Sequence, residues 1–143
     1  MATIDLSRCF GCGRENPKGL HLVNSYHGER SHIEFDVGAD HCGHPGLMHG
    51  GITCVLFDEA MFHAIARTVK EAVTLTMTVD YKGPAMEGHH LICEAWIVGR
   101  EGRKIDVAAE MVDGGTGDIV AEARGSYLEV DVERMLGRRP NST

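Results

Sequence analysis

Between His49 and about Thr68 the chain carries Ile52, Val55, Leu56, Phe57, Ala60, Met61, Phe62, Ala64, Ile65 and Ala66, which cover nearly the whole circumference of a helix of roughly five turns. A helix that is apolar all round has no face to give to water, so the rest of the chain has to wrap it. That remainder reads as β. Leu20-His21-Leu22-Val23 and His32-Ile33-Glu34-Phe35-Asp36-Val37 alternate with period two on either side of His27-Gly28-Glu29-Arg30, which predicts a hairpin of two antiparallel strands. After the helix come four long β-rich segments, Val73 to Tyr81, Leu91 to Val98, Ile105 to Val112 and Ile119 to Val130, punctuated by Gly- and Pro-bearing turns. One long central helix gripped by a curved antiparallel sheet, an α+β architecture, is the economical solution. With 143 residues, 43% of them hydrophobic, there is core enough for one domain over 1–143, with a turn-rich lead-in over 1–18 and a C-terminal tail over 131–143.

Charge and cysteine usage exclude several classes of function. A net charge of −7 argues against a protein that grips the phosphate backbone of nucleic acid, so an anionic ligand must find a local basic patch. No apolar run reaches the length of a membrane span, and Met1-Ala2-Thr3-Ile4-Asp5 has neither the basic nor the apolar segment of a leader, which makes the cytoplasm the expected compartment. Five cysteines at scattered spacings do not form a disulfide framework, and reduced thiols are expected. Cys9-x-x-Cys12 alone has metal-ligand spacing. Either Cys42 with His41 or His44 folds back to complete a four-ligand zinc site, or Cys9-Phe10-Gly11-Cys12-Gly13 is simply a turn leading into Asn16-Pro17-Lys18-Gly19.

The centre of the chain resembles a known family. His49-Gly50-Gly51, followed after six residues by Asp58-Glu59-Ala60, is similar to the H-G-G-x(6)-D-x-A signature that opens the central helix of hotdog-fold acyl-CoA thioesterases of the phenylacetate-pathway and 4-hydroxybenzoyl-CoA type. Cys9-Phe10-Gly11-Cys12-Gly13 with Asn16-Pro17-x-Gly19-Leu20 resembles the lead-in of one branch, and Tyr81-Lys82-Gly83-Pro84-Ala85 resembles the turn after the strand behind the helix. The likeness runs from Cys9 to about Val130. It implies the hotdog fold, hydrolysis of the thioester of a small or medium acyl- or aryl-CoA without a cofactor or metal, and dimers that often pair into tetramers. It also implies an assisting polar side chain on the next strand, at Thr74 by alignment back from Tyr81, with Thr76 expected on the same face two residues on.

Elementary chemistry gives these residues work to do. Two glycines at a helix start leave N–H groups bare where the helix dipole adds partial positive charge, so Gly50, with Gly51 second, can polarise a carbonyl that gains charge during acyl transfer; the other reading is close packing of the helix start. His49 either orients the carbonyl or caps the turn. Asp58 is a carboxylate in an otherwise apolar helix, which is costly unless paired or used, and its expected role is general base or nucleophile toward the thioester. Glu59 reads as a solvated or salt-bridged acid on the helix's wet edge, paired at i,i+4 with His63. Gly50 and Asp58 lie eight residues apart, or about 12 Å along one helix, too far to touch one carbonyl. A two-fold dimer with antiparallel helices would bring the start of one beside the Asp58 of the other.

The loop Asp40 to Met48 departs from the family pattern, since relatives often carry an Asn there and this chain has His41 and His44. That opens a second reading, a hotdog β-hydroxyacyl dehydratase acting on a CoA or carrier-protein ester through His44 and Asp58 or Glu59. A third is a non-catalytic acyl-CoA-binding module. For the CoA phosphates the candidates are Arg100, Arg103 and Lys104 around one hairpin and Lys82 after the third long strand, against the alternative of ordinary turn charges. The acyl group would lie among Leu47, Met48, Phe57, Met61 and Phe62, for most of which core packing is the competing role.

Overall fold

A computed structural model describes residues 5–137; the leader expectation at the extreme N-terminus and the tail beyond Gly137 lie outside the described residues. The chain forms β1 (Asn24–His27), β2 (Arg30–Asp36), a 3-10 turn at Ala39–His41, α1 (Gly50–Ile65), β3 (Ala72–Tyr81), β4 (His90–Glu101), β5 (Lys104–Asp113), β6 (Ile119–Glu129) and a short α2 (Val132–Gly137). All strands pair antiparallel in one sheet of order β1-β2-β4-β5-β6-β3. The chain crosses from β2 to the far edge, β3, through α1, so the helix lies over the concave face of the sheet.

The burial follows from that placement. Leu56, Phe57, Ala60, Met61 and Ile65 of α1 are fully buried against Ile33, Cys93, Ala95, Ile105, Val107, Met111 and Tyr127 of the strands. Each large apolar side chain moved from water into that layer contributes about 1.5–3 kcal/mol. Met48, Phe57 and Met61 pack in the core, the competing role named for them, while Leu47 is exposed. Gly125 on β6 lets the helix come close, because a Cβ there would stand 2.9 Å from Met61 Sδ. Among the described residues no helix is long and apolar enough to cross a membrane.

Two element boundaries differ from the sequence expectation. Leu20–Val23 is not the first strand: Leu20 N–H donates to the Phe10 carbonyl and Leu22 N–H to that of Gly11, so this stretch binds the lead-in, and the strand forms at Asn24–His27 instead. His21 holds a left-handed φ of 52°, which interrupts an extended run that alternation alone would have continued. The helix ends at Ile65, short of Thr68, where the Thr68 N–H and Oγ1 both donate to the Ile65 carbonyl and turn the chain toward β3. Within the expected tail, Val132–Gly137 is helical.

Candidate active site

The start of α1 is capped by its own histidine. His49 has the extended backbone of an N-cap (φ −58°, ψ 131°), and its Nδ1 accepts the Gly51 N–H at 2.9 Å. Gly51 is thereby withdrawn as a second oxyanion donor. Its lack of a side chain serves the cap, since a Cβ would stand 3.0 Å from His49 Nδ1. The Gly50 N–H donates to no described residue and lies on the exposed end of the helix. Tyr81, at the end of β3, donates its hydroxyl to the Gly50 carbonyl at 2.7 Å and so fixes this turn against the sheet. Its contact with the Cys54 thiol, with partial burial, pushes the Tyr81 hydroxyl up to about 12, keeping it a donor at neutral pH.

Two turns further along, Asp58 is held by two hydroxyls. Thr74 Oγ1 donates to Asp58 Oδ1 at 2.8 Å, and the Tyr127 hydroxyl donates to the same oxygen at 2.7 Å. Burial, reinforced by the Asp58 charge, drives the Tyr127 hydroxyl far above its ordinary value, so it stays protonated and can only donate here. Two donors on Oδ1 lock the carboxylate and leave Oδ2 without a hydrogen bond from any described residue. The group opens into a cavity of about 330 Å³ lined by Asp58, Thr74, Tyr127, Phe62 and the thiols of Cys9 and Cys12.

Thr76 does not join it. Thr74 lies opposite Tyr127, but Thr76 lies opposite Ser126, because a bulge at Leu75 adds one residue to β3. A one-residue shift turns the following side chains to the other face, so Thr76 points away from Asp58. Tyr127 is the residue that sequence reasoning missed. Its signal was present in Ala121-x-Ala123-x-Gly125-x-Tyr127, an inward row of small residues closed by one large, polar-tipped ring.

Glu59 is salt-bridged to His63 as expected, but it is half-buried and not on a wet edge. It is tucked under the lead-in, with the Cys9 thiol donating to Oε1 at 3.3 Å and His63 Nε2 at ion-pair distance, 3.4 Å, from Oε2. Burial pushes the Glu59 carboxyl up, but His63 and the Cys9 thiol outweigh it and hold the group below its ordinary range. Burial and then the Glu59 charge push the Cys12 thiol up to about 12. Cys42 and His41 are elsewhere, each bonded to the Gly38 backbone, so the four-ligand set expected around them does not assemble.

A profile of the Thioesterase superfamily matches residues 45–120, the segment that holds α1 and the strands behind it. The chain belongs to the thioesterase superfamily. It is 28% identical over 99 residues to mouse acyl-coenzyme A thioesterase 13, covering 67% of this chain and 70% of that protein. Among solved structures, a mutant of the phenylacetic acid degradation protein PaaI from Thermus thermophilus superposes with a TM-score of 0.69 at 28% identity, over 78% of this chain and 95% of the other. PaaI from E. coli superposes with a TM-score of 0.71 at 23% identity, over 76% and 83%. The six-stranded sheet around one long helix is the hotdog fold.

In this thioesterase the remaining candidates fall at two ends of the sheet. Lys82 follows Tyr81 at the helix-start end, its N–H bonded to the Val120 carbonyl. Arg100, Arg103 and Lys104 surround the β4–β5 hairpin at the other end, where Lys104 lies opposite Leu128 next to Tyr127. Thr74 and Tyr81 are separated by about 23 Å of strand, so the two basic groups lie at opposite ends of β3. Arg100 is engaged by Glu129 and by the Gly102 carbonyl. His44 is exposed in the loop before α1, and its side chain bonds to neither Asp58 nor Glu59, whose partners are Thr74 and Tyr127, and Cys9 and His63.

Proposed function

We propose that this thioesterase hydrolyses an acyl-CoA, with the Asp58 carboxylate as general base or nucleophile and the Gly50 N–H of a second copy polarising the carbonyl. The observation that carries the reading is the clamped Asp58. A carboxylate fixed by Thr74 and Tyr127 through one oxygen, with the other facing a cavity, is oriented for attack on a carbonyl or for activating water. The acyl-CoA substrate class is supported by the likeness to acyl-coenzyme A thioesterase 13.

Assembly follows from distance. Gly50 and Asp58 lie on one continuous helix, about 12 Å apart. The ten-residue β3 is an edge strand, paired on one side only with β6, and an open edge of that length favours pairing with a second copy. A two-fold axis at β3 would set the two helices antiparallel, so the Gly50, Tyr81 and Lys82 end of one chain would serve the Asp58 end of the other, with Arg100, Arg103 and Lys104 nearby. That homodimer, alone or doubled into a tetramer, is the proposed active form, and the cytoplasm is its proposed compartment. Within one chain His44 meets neither acid, and the dehydratase reading, which would also need the second copy, yields to the likeness to acyl-coenzyme A thioesterase 13.

The test is free-thiol release from a panel of short, medium and aryl acyl-CoA esters. Hydrolysis of at least one, with kcat reduced by about 10²-fold or more in Asp58→Asn, supports the reading. Hydration of crotonyl-CoA without thiol release would replace it with the dehydratase.

A further inference from the structure

The lead-in turn and α1 bring together two thiols and a carboxylate that the proposed hydrolysis does not require. Cys9 Sγ, Cys12 Sγ and a Glu59 carboxylate oxygen all lie within 4.8 Å of one another. Tetrahedral zinc with bonds of about 2.3 Å to sulfur and about 2.1 Å to oxygen sets its ligand atoms about 3.5–3.8 Å apart, close to the 3.3 Å that separates Cys9 Sγ from Glu59 Oε1. The turn is wound for this approach: a Cβ on Gly11 would sit 2.2 Å from Glu59 Oε1, and one on Gly13 would sit 2.4 Å from the Cys9 backbone nitrogen. Glu59 Oε2 is buried without a hydrogen-bond partner, with His63 at ion-pair distance but out of hydrogen-bonding geometry. A half-buried carboxylate beside two soft donors, one of its oxygens buried with no hydrogen bond, has the donor chemistry of a thiophilic cation site.

We infer that Cys9, Cys12 and Glu59 bind one zinc ion that clips the lead-in to the central helix. His63, one turn beyond Glu59, is the positioning residue that holds the carboxylate. The fourth position faces the cavity shared with Asp58. The other three-group cluster among the described residues, His27, His32 and Glu94, is a poorer candidate, because His32 is already within bonding reach of Glu94 through Nδ1 (2.8 Å) and of Glu34 through Nε2 (3.2 Å). The zinc site is independent of the hydrolytic reading and its test reads metal, not turnover.

The full chain, purified reduced and without chelator, is loaded with Zn²⁺ and separately with Co²⁺. The expected result is about one zinc per chain, an X-ray absorption spectrum with two sulfur neighbours at about 2.3 Å, and a thiolate-to-cobalt charge-transfer band in the near ultraviolet. The band is lost in Cys9→Ser and Cys12→Ser and kept in Cys42→Ser and His32→Gln. Zinc affinity falls by at least about tenfold in Glu59→Gln, and by about tenfold or more in His63→Gln with the two-sulfur signature retained. The absorption spectrum of the unaltered chain decides the matter even if a cysteine variant fails to fold. Less than stoichiometric zinc, a shell of nitrogen and oxygen only, or a cobalt band indifferent to Cys9 and Cys12 overturns the proposal.

Discussion

At the scale of single residues, Tyr127 and Thr74 do different amounts of work on the same oxygen. Tyr127 is almost wholly buried (1% exposed), so Tyr127→Phe removes a donor that water cannot replace, whereas the exposed Thr74 can be partly substituted by solvent. The expected outcome is a drop in kcat of about tenfold to a hundredfold for Tyr127→Phe with KM nearly unchanged, and a smaller drop for Thr74→Val, checked by steady-state kinetics on the best acyl-CoA. His32 carries a pH effect. Its burial works against protonation, but hydrogen bonds to Glu94 and Glu34 outweigh that and raise its pKa. A raised folded pKa gives stability that is fully present below the unfolded value and lost as pH rises through the folded one. The stability difference between the parent and His32→Gln, followed by thermal unfolding, should therefore be largest below about pH 6 and shrink on the alkaline side. Asp58 was legible in the sequence because an acid in an apolar helix is conspicuous, and its spacing from His49-Gly50-Gly51 set it apart from the neighbouring Glu59. Thr76 was misplaced, and the cover over Glu59 was missed although its His63 pair was foreseen, because a bulge at Leu75 and the return of a distant turn leave no local periodic trace.

At the scale of elements, the helix was readable to within three residues of its end because its pattern is dense and long, and the four later strands were bounded to within a few residues by their turns. The first strand was misplaced. Alternation at Leu20–Val23 correctly puts Leu22 in the core (5% exposed), but the partner of that stretch is the lead-in and not β2, and pairing is a long-range fact. The helix start also makes a prediction. His49→Ala removes the cap on Gly51 and should cost about 0.5–2 kcal/mol, while His49→Asn retains most of it, measured by urea unfolding. On β6, Gly125→Ala would press on Met61 and on the Tyr127 ring 3.2 Å away, and should destabilise by about 1–3 kcal/mol while loosening the Asp58 clamp.

At the scale of the whole molecule, the proposal divides the chemistry between the start and the middle of one helix, and only a second copy would reunite it. The Gly50 N–H and the Asp58 carboxylate, to which the proposal gives the polarising and attacking roles, are about 12 Å apart. The measurement that tests this most directly is complementation between two inactive variants, Asp58→Asn and Gly50→Pro. Proline at the first helical position deletes the N–H there while keeping the helix, and the extended His49 backbone (ψ 131°) suits a residue before proline. Co-expressed or refolded together, random pairing makes about half the dimers mixed, each with one of two sites intact, so activity should recover to about a quarter of the parent's. No recovery in mixed dimers shown to form from variants shown to fold would contradict the shared site.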